Sequence, residues 1–331
     1  MLLNEKHNAM LYAKTKVLTS RDETLEDKYG ERYKQYRQIW NANVREEGDI
    51  PEFPIHYECQ LTDSCNLKCA ICHDRKRTGV KIDIEVLKKV INEGKKYGLC
   101  ACSFGLDSES LIDKQILLDT IDCAKNANVM DIMLGTNGIL LTEDLSEKLI
   151  MGGGVTMLRV SIDAATAETY KKMRHSDKFE IVEENIKKFV EIKQQLGLVL
   201  PQVRISFCKT YLNSNEENQF IEKWSNIVDQ IDIQNYISIA GELQDFSSGK
   251  RIENYFCKDS FRRVGILANG DVQCCCSSFG SPDIIIGNIY EQSMYDIWNG
   301  QKMKAIQKAF LYDCTNIPDY CKKCIHSRWS F

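Results

Sequence analysis

From residue 55 to residue 236 the chain repeatedly switches between two apolar periods, and this alternation restricts the fold more than any other feature. Residues 55–61, 101–106, 130–135, 157–162, 203–208 and 231–236 are short and alternate apolar with polar or small side chains, the pattern of β-strands. Between them, residues 84–97, 116–127, 145–151, 179–196 and 216–227 carry apolar side chains every three or four positions, the pattern of amphipathic helices. Strand and helix in turn predict a parallel sheet, because a parallel strand is reached only by a long crossover and a helix is the usual one. Six such units form either an open doubly wound sheet or an incomplete barrel. In both, chemistry is expected at the C-terminal ends of the strands.

The flanks differ. The first 50 residues are polar and highly charged, with Tyr29, Tyr33, Tyr36, Ile39 and Trp40 at roughly helical spacing, which predicts a helix packed on something larger. Near residue 248 the β/α pattern stops at Ser247-Ser248-Gly249-Lys250, a linker signal, and Asn269-Gly270-Asp271 marks a hairpin beyond it. The expected organisation is an N-terminal helical extension (1–53), a β/α body (54–246) and a small Cys-rich domain (247–331).

Cys65, Cys69 and Cys72 follow the first strand as Cys-x3-Cys-x2-Cys. Three thiolates at this spacing can hold three irons of a [4Fe–4S] cluster and leave the fourth open to a ligand. A structural zinc would want four closed ligands, with His73 as the available fourth, but the spacing is not that of a usual zinc knuckle. The net charge of −4 is spread over intermixed signs, which argues against an electrostatic nucleic-acid or membrane binder. There is no apolar run of ~20 residues, and Asn4, Glu5, Lys6 and His7 interrupt any signal-peptide core, so a cytoplasmic location is expected. In a reducing compartment, cysteines at ligand spacing point to metal rather than disulfides.

Polar groups recur after the strands: Asp107-Ser108-Glu109-Ser110 after the second, Gly135-Thr136-Asn137-Gly138 after the third, and Ser161-Ile162-Asp163-Ala164 after the fourth, with Arg174 on the next helix. Together with the Cys triplet they make residues 54–240 resemble the radical S-adenosylmethionine (SAM) enzyme superfamily. The resemblance implies an incomplete (β/α)6 TIM-like barrel whose open iron is chelated by SAM, and reductive cleavage of SAM to a 5′-deoxyadenosyl radical that abstracts hydrogen from a substrate. It also implies roles for single residues. Glu109, the one residue kept from the family's Gly-Gly-Glu-Pro motif, would accept from the SAM ammonium; Asn137 would join the SAM site; Ser161 and Asp163 would reach the ribose, and Arg174 the carboxylate. Ile71 stands where the family prefers an aromatic residue against adenine, and would supply dispersion contact alone.

The C-terminal cysteines resemble the auxiliary-cluster domains of the same enzymes, called SPASM or twitch. Cys257, Cys275, Cys321 and Cys324 would hold one further [4Fe–4S] cluster, since the seven-Cys SPASM block is not visible; Cys274, Cys276 and Cys314 blur the assignment, and a zinc ribbon is the alternative. Cys208, near the end of the fifth strand on the same side as Arg204 and Ser206, is the candidate hydrogen-atom donor, with core packing as the alternative. The function implied is an oxidoreductase or epimerase for a small polar molecule such as a sugar or aminocyclitol, reduced by a donor such as flavodoxin or ferredoxin. A peptide or protein maturase and a non-catalytic Fe–S or zinc scaffold are the alternatives.

Overall fold

The computed structural model describes residues 14–17, 21–42, 44, 50–72, 77–236, 250–251, 256–276, 281–326 and 329–330. The linker at 247–249 and His73 lie outside the described residues. The chain opens with β1 (Lys14–Val17) and two helices, α1 (Arg21–Tyr29) and α2 (Glu31–Asn41). The alternating body then runs β2 (His56–Cys59), α3 (Ile84–Lys96), β3 (Ala101–Phe104), α4 (Lys114–Asn126), β4 (Asp131–Thr136), α5 (Glu143–Met151), β5 (Met157–Ser161), α6 (Ala167–Arg174), α7 (Phe179–Gln195), β6 (Gln202–Lys209), α8 (Glu217–Trp224) and β7 (Gln230–Asn235).

Strands β2 to β7 lie side by side in chain order, each parallel to the next. The order never reverses, so right-handed crossovers carry the helices to one face. Side-chain alternation agrees. Tyr57, Cys59, Cys102, Phe104, Ile132, Leu134, Leu158, Val160, Val203, Ile205, Phe207, Ile231 and Ile233 share one core with helix residues such as Leu87, Ile91, Leu117, Ile186 and Phe189. The opposite parity carries His56, Glu58, Ser103, Asp131, Arg159, Ser161, Arg204, Ser206, Asp232 and Gln234. A doubly wound sheet needs apolar side chains on both faces. This sheet has them on one, so the polar face is the concave interior of an incomplete barrel. The sheet does not close: β1 pairs antiparallel with β7 at one edge, and β2 is flanked at the other by β9 (Arg263–Ile266).

The C-terminal region comprises β8 (Lys250–Arg251), β9, β10 (Asp271–Gln273), β11 (Ile285–Asn288), α9 (Met294–Asn299), α10 (Gln301–Tyr312), α11 (Asp319–His326) and β12 (Trp329–Ser330). Its β9–β10 hairpin turns at Gly270, whose φ of 85° suits glycine, and β9 to β11 extend the barrel sheet to ten strands. Glu93 on α3 accepts from the backbone N–H groups of Met294 (3.0 Å) and Tyr295 (2.9 Å), placing a carboxylate at the N-terminus of α9. We expect Glu93→Ala to lower stability by about 1–2 kcal/mol, read as a fall in the urea midpoint at constant slope.

The N-terminal helices cover the other end of the barrel. Leu25, Tyr33, Tyr36 and Trp40 pack on Ile55, Cys100, Ala101 and Met130, and Arg21 enters the interior to pair with Asp131. Gly30, at φ 59°, separates what the sequence suggests as one helix into two. Among the described residues, no helix is long and apolar enough to cross a membrane.

Candidate active site

The loop after β2 carries Cys65, Cys69 and Cys72, all half-buried. Two backbone bonds hold it at the strand ends: Ala70 N–H donates to Met173 O (2.8 Å) and Glu109 N–H to Ser64 O (3.0 Å). The three cysteines line a cavity of about 390 Å³ with Leu67, Ile71, Arg77, Ser108, Glu109, Asn137, Arg159, Ser161, Arg174, Arg204, Ser206 and Gln234. Gly105, at φ 112°, shapes its wall; a Cβ there would stand 2.5 Å from Gly135 O.

Two guanidiniums point at sulfur. Arg174 Nη1 is 3.4 Å from Cys69 Sγ and Arg77 Nη2 is 3.8 Å from Cys72 Sγ. Neutral thiols need no such partners; thiolates do. Among the described residues no three His, Cys, Asp or Glu side chains close around a single ion, and the three cysteines stand along the rim of the cavity. The donors and the rim suit a cluster held from one side.

Glu109 is buried, and burial pushes its carboxyl up against three opposing hydrogen bonds. Its Oε1 accepts from Thr136 Oγ1 (2.8 Å) and Leu111 N–H (3.0 Å), and its Oε2 accepts from Asn137 N–H (2.7 Å). A carboxylate has about four acceptor positions, so one remains on Oε2. Asn137 Nδ2 donates to Asn66 Oδ1 (2.7 Å), tying the β4 loop to the Cys loop. Ser108 Oγ, on the cavity wall, has no hydrogen-bond partner among the described residues.

Arg174 is buried rather than solvated, but its first partner is Asp163, at 2.5 Å. Helix α6 reaches this position because the Glu216 carboxylate accepts from Ala165 N–H (2.7 Å), Thr166 Oγ1 (2.7 Å) and Thr169 Oγ1 (2.6 Å) at its start. Asp163, expected at the ribose, has its carboxylate met by Arg174 and by Cys208 N–H (2.7 Å), and it is not among the residues that line the cavity. Cys208 shares the inward parity of Arg204 and Ser206 but also lies off the wall, and burial pushes its thiol up. The cavity thus brings together Cys65, Cys69, Cys72, Glu109, Asn137, Ser161 and Arg174, and leaves Asp163 and Cys208 behind it. Sequence reasoning missed Arg77, Arg159 and Gln234; the signal for Arg159 was its strand parity with Ser161.

In the C-terminal region Cys257 lies near Cys275 and Cys324, and Cys274 lies near Cys275 and Cys321. The four expected ligands are thus neighbours in pairs, with Cys274 among them, and among the described residues no three of them close around a single ion. Cys276 turns to Asp259 (3.9 Å), and the exposed Cys314 donates to Phe310 O (3.6 Å). Strand alternation does not separate Cys274 from Cys275, both buried, because β10 ends at Gln273 after a register shift.

Fold and cavity together define an open β/α barrel with a cysteine rim at its strand ends. Residues 59–200 match the Radical SAM superfamily model and residues 257–325 match SPASM, an iron–sulfur cluster-binding domain. The chain thus carries a radical SAM domain followed by a C-terminal SPASM domain, and these domains indicate SAM, a SAM-binding [4Fe–4S] cluster and auxiliary Fe–S as its cofactors. Curated relatives include a probable GTP 3′,8-cyclase of Saccharolobus solfataricus, 28% identical over 213 residues (62% of this chain, 65% of the relative), and one of Methanocaldococcus jannaschii, 28% identical over 194 residues (56% and 60%). The match thus spans less than two thirds of either relative. Among solved structures, Streptococcus suis SuiB superposes with a TM-score of 0.64 at 15% identity over 84% of this chain and 72% of that one. BtrN in complex with AdoMet and 2-DOIA gives 0.53 at 19% identity over 82% and 92%. These likenesses are of fold.

Proposed function

We propose that the chain is an oxidoreductase or epimerase that acts on a small polar molecule, of the sugar or aminocyclitol kind, inside the barrel mouth. The observation that carries this reading is the cavity. Its volume of about 390 Å³ falls in the lower part of the ~300–1,000 Å³ range of small-molecule sites. Beyond the residues given to SAM, Ser206, Gln234 and Arg159 line it, offering hydrogen bonds to a hydroxylated substrate and little to an apolar peptide side chain.

Cys65, Cys69 and Cys72 would hold the SAM-binding cluster, and Cys257, Cys275, Cys321 and Cys324 one auxiliary cluster. When bound, the first cluster and SAM supply an electron and a radical able to take hydrogen from an unactivated C–H bond. The remaining acceptor position of Glu109 suits an ammonium, Asn137 and Ser161 offer polar contacts, and Ile71 offers an apolar surface. Arg174, anchored by Asp163, keeps one edge of its guanidinium at the rim. Leu67 and Ile71 line the cavity and help exclude water, which a radical reaction requires. A small electron-transfer protein such as flavodoxin or ferredoxin would be the reductant. The curated relatives are named as probable GTP 3′,8-cyclases, which favours a nucleotide as the second reading.

Anaerobic incubation of the reconstituted protein with SAM and dithionite should yield 5′-deoxyadenosine. Glu109→Gln, which replaces one acceptor oxygen by a donor, should weaken SAM binding about 10-fold. Absence of cleavage in the native protein would leave the scaffold reading.

A further inference from the structure

The arginines around the barrel interior and its cavity are matched with acids, save Arg77 and Arg159. Arg21 pairs with Asp131, Arg174 with Asp163, Arg204 with Asp232, and Arg263 with Glu58 and Asp259. Arg77 donates to the backbone carbonyls of Asp63 (2.7 Å) and Asp107 (3.3 Å). Arg159, half-buried on β5 and lining the cavity, has neither a carboxylate nor a carbonyl partner among the described residues. Its neighbour across the sheet is Gly135, and a Cβ built there would stand 3.9 Å from Arg159 Nη2. Glycine at this position leaves space in front of the guanidinium. Ser206 and Gln234, on the next two strands, line the same region with neutral hydrogen-bonding groups.

An unmatched guanidinium in a half-enclosed site is costly unless an anion or water serves it, and its planar fork fits an oxyanion with two parallel hydrogen bonds. From this arrangement we infer that Arg159 is the anchor for an oxyanion of the substrate, a carboxylate or a phosphate, with Ser206 further along the same cavity wall. The inference rests on the reading of the cavity as the substrate site and narrows the substrate to an anionic small molecule. Arg204, directly across from Arg159 on β6, is engaged by Asp232, and Lys209 by Glu217, so among the described residues of the parallel strands Arg159 is the cation left for this role.

The test uses the anaerobically reconstituted protein with SAM bound, titrated with inorganic phosphate in one arm and acetate in the other, and followed by the shift in unfolding temperature. Saturable stabilisation is expected in at least one arm, and the arm that responds names the oxyanion. Arg159→Gln should weaken it about 10- to 100-fold with iron content unchanged. Should Arg159→Gln fail to retain iron, Arg159→Lys decides: an ammonium cannot present the fork, so binding should be several-fold weaker. Equal binding in native and variant, or no binding of either anion by native protein, overturns the inference. SAM cleavage in the same preparations separates the two readings. Native protein that cleaves SAM but binds neither anion loses only the anchor; one that binds through Arg159 without cleaving SAM loses the enzyme and keeps the anchor.

Discussion

A Cys65, Cys69 and Cys72 to Ala triple variant should retain about four of about eight irons after anaerobic reconstitution and lose SAM cleavage altogether. The native count follows from two [4Fe–4S] clusters, one at the barrel rim and one in the C-terminal region. The two sets of cysteines belong to separate neighbourhoods: the rim is built on the β2 loop and braced by α6, whereas Cys257, Cys274, Cys275, Cys321 and Cys324 gather around the end of β10 and α11. Loss of one should therefore spare the other. Iron and sulfide analysis reads the count, and electron paramagnetic resonance of the reduced variant should show the auxiliary signal alone. A variant with no iron would mean that the C-terminal cysteines hold zinc or nothing, and the second electron of an oxidation would lack its acceptor.

The second large effect is expected at Arg174. If this residue served only to bind SAM, Arg174→Ala would weaken SAM and leave the apo-protein as stable as before. The geometry says otherwise. Asp163 is 1% exposed, and Arg174 is its charged partner at 2.5 Å. Removing the guanidinium leaves a buried carboxylate uncompensated, at a cost of about 3–5 kcal/mol, measurable by urea unfolding without SAM. Replacing both residues, Arg174→Ala with Asp163→Asn, should recover most of that loss, a coupling that a double-mutant cycle isolates.

The pH dependence has a definite sign. Burial pushes the Asp163 carboxyl above its ordinary 3.8, with Arg174 and the Cys208 N–H pulling it back. The folded state then binds more protons than the unfolded chain between the two values, so this group's contribution is most favourable below 3.8 and declines as pH rises through the folded-state value. Without Arg174 the folded value climbs, and the decline should extend toward neutral pH. A flat profile in Arg174→Ala would show that Asp163 is hydrated rather than buried.

Much of this protein was legible before its coordinates. The six strands fall within a few residues of their sequence patterns, and the helices over 84–96, 114–126 and 179–195 do likewise, because each pattern is a local record of which face will be buried. The Cys triplet was equally legible, since three ligands within eight residues need only one loop to come together. Less was legible at 166–174, where a helix of eight residues with a short apolar stripe gives little periodic signal.

What the sequence by itself determined, then, was the alternation of strands and helices, the cysteine triplet after the first strand and the polar residues at the strand ends, all set by neighbours along the chain, while the choice between a doubly wound sheet and an incomplete barrel fell to the strand order of the structure. What the tertiary structure decided was partnership. Whether Asp163 meets a ribose or Arg174, whether Cys208 reaches the cavity, and which arginine is left without an acid depend on contacts between residues far apart in sequence: 45 positions between Asp163 and Cys208, 105 between Cys69 and Arg174. Charge in a low-dielectric interior is settled only when all the groups around it are in place, and no local pattern encodes that sum.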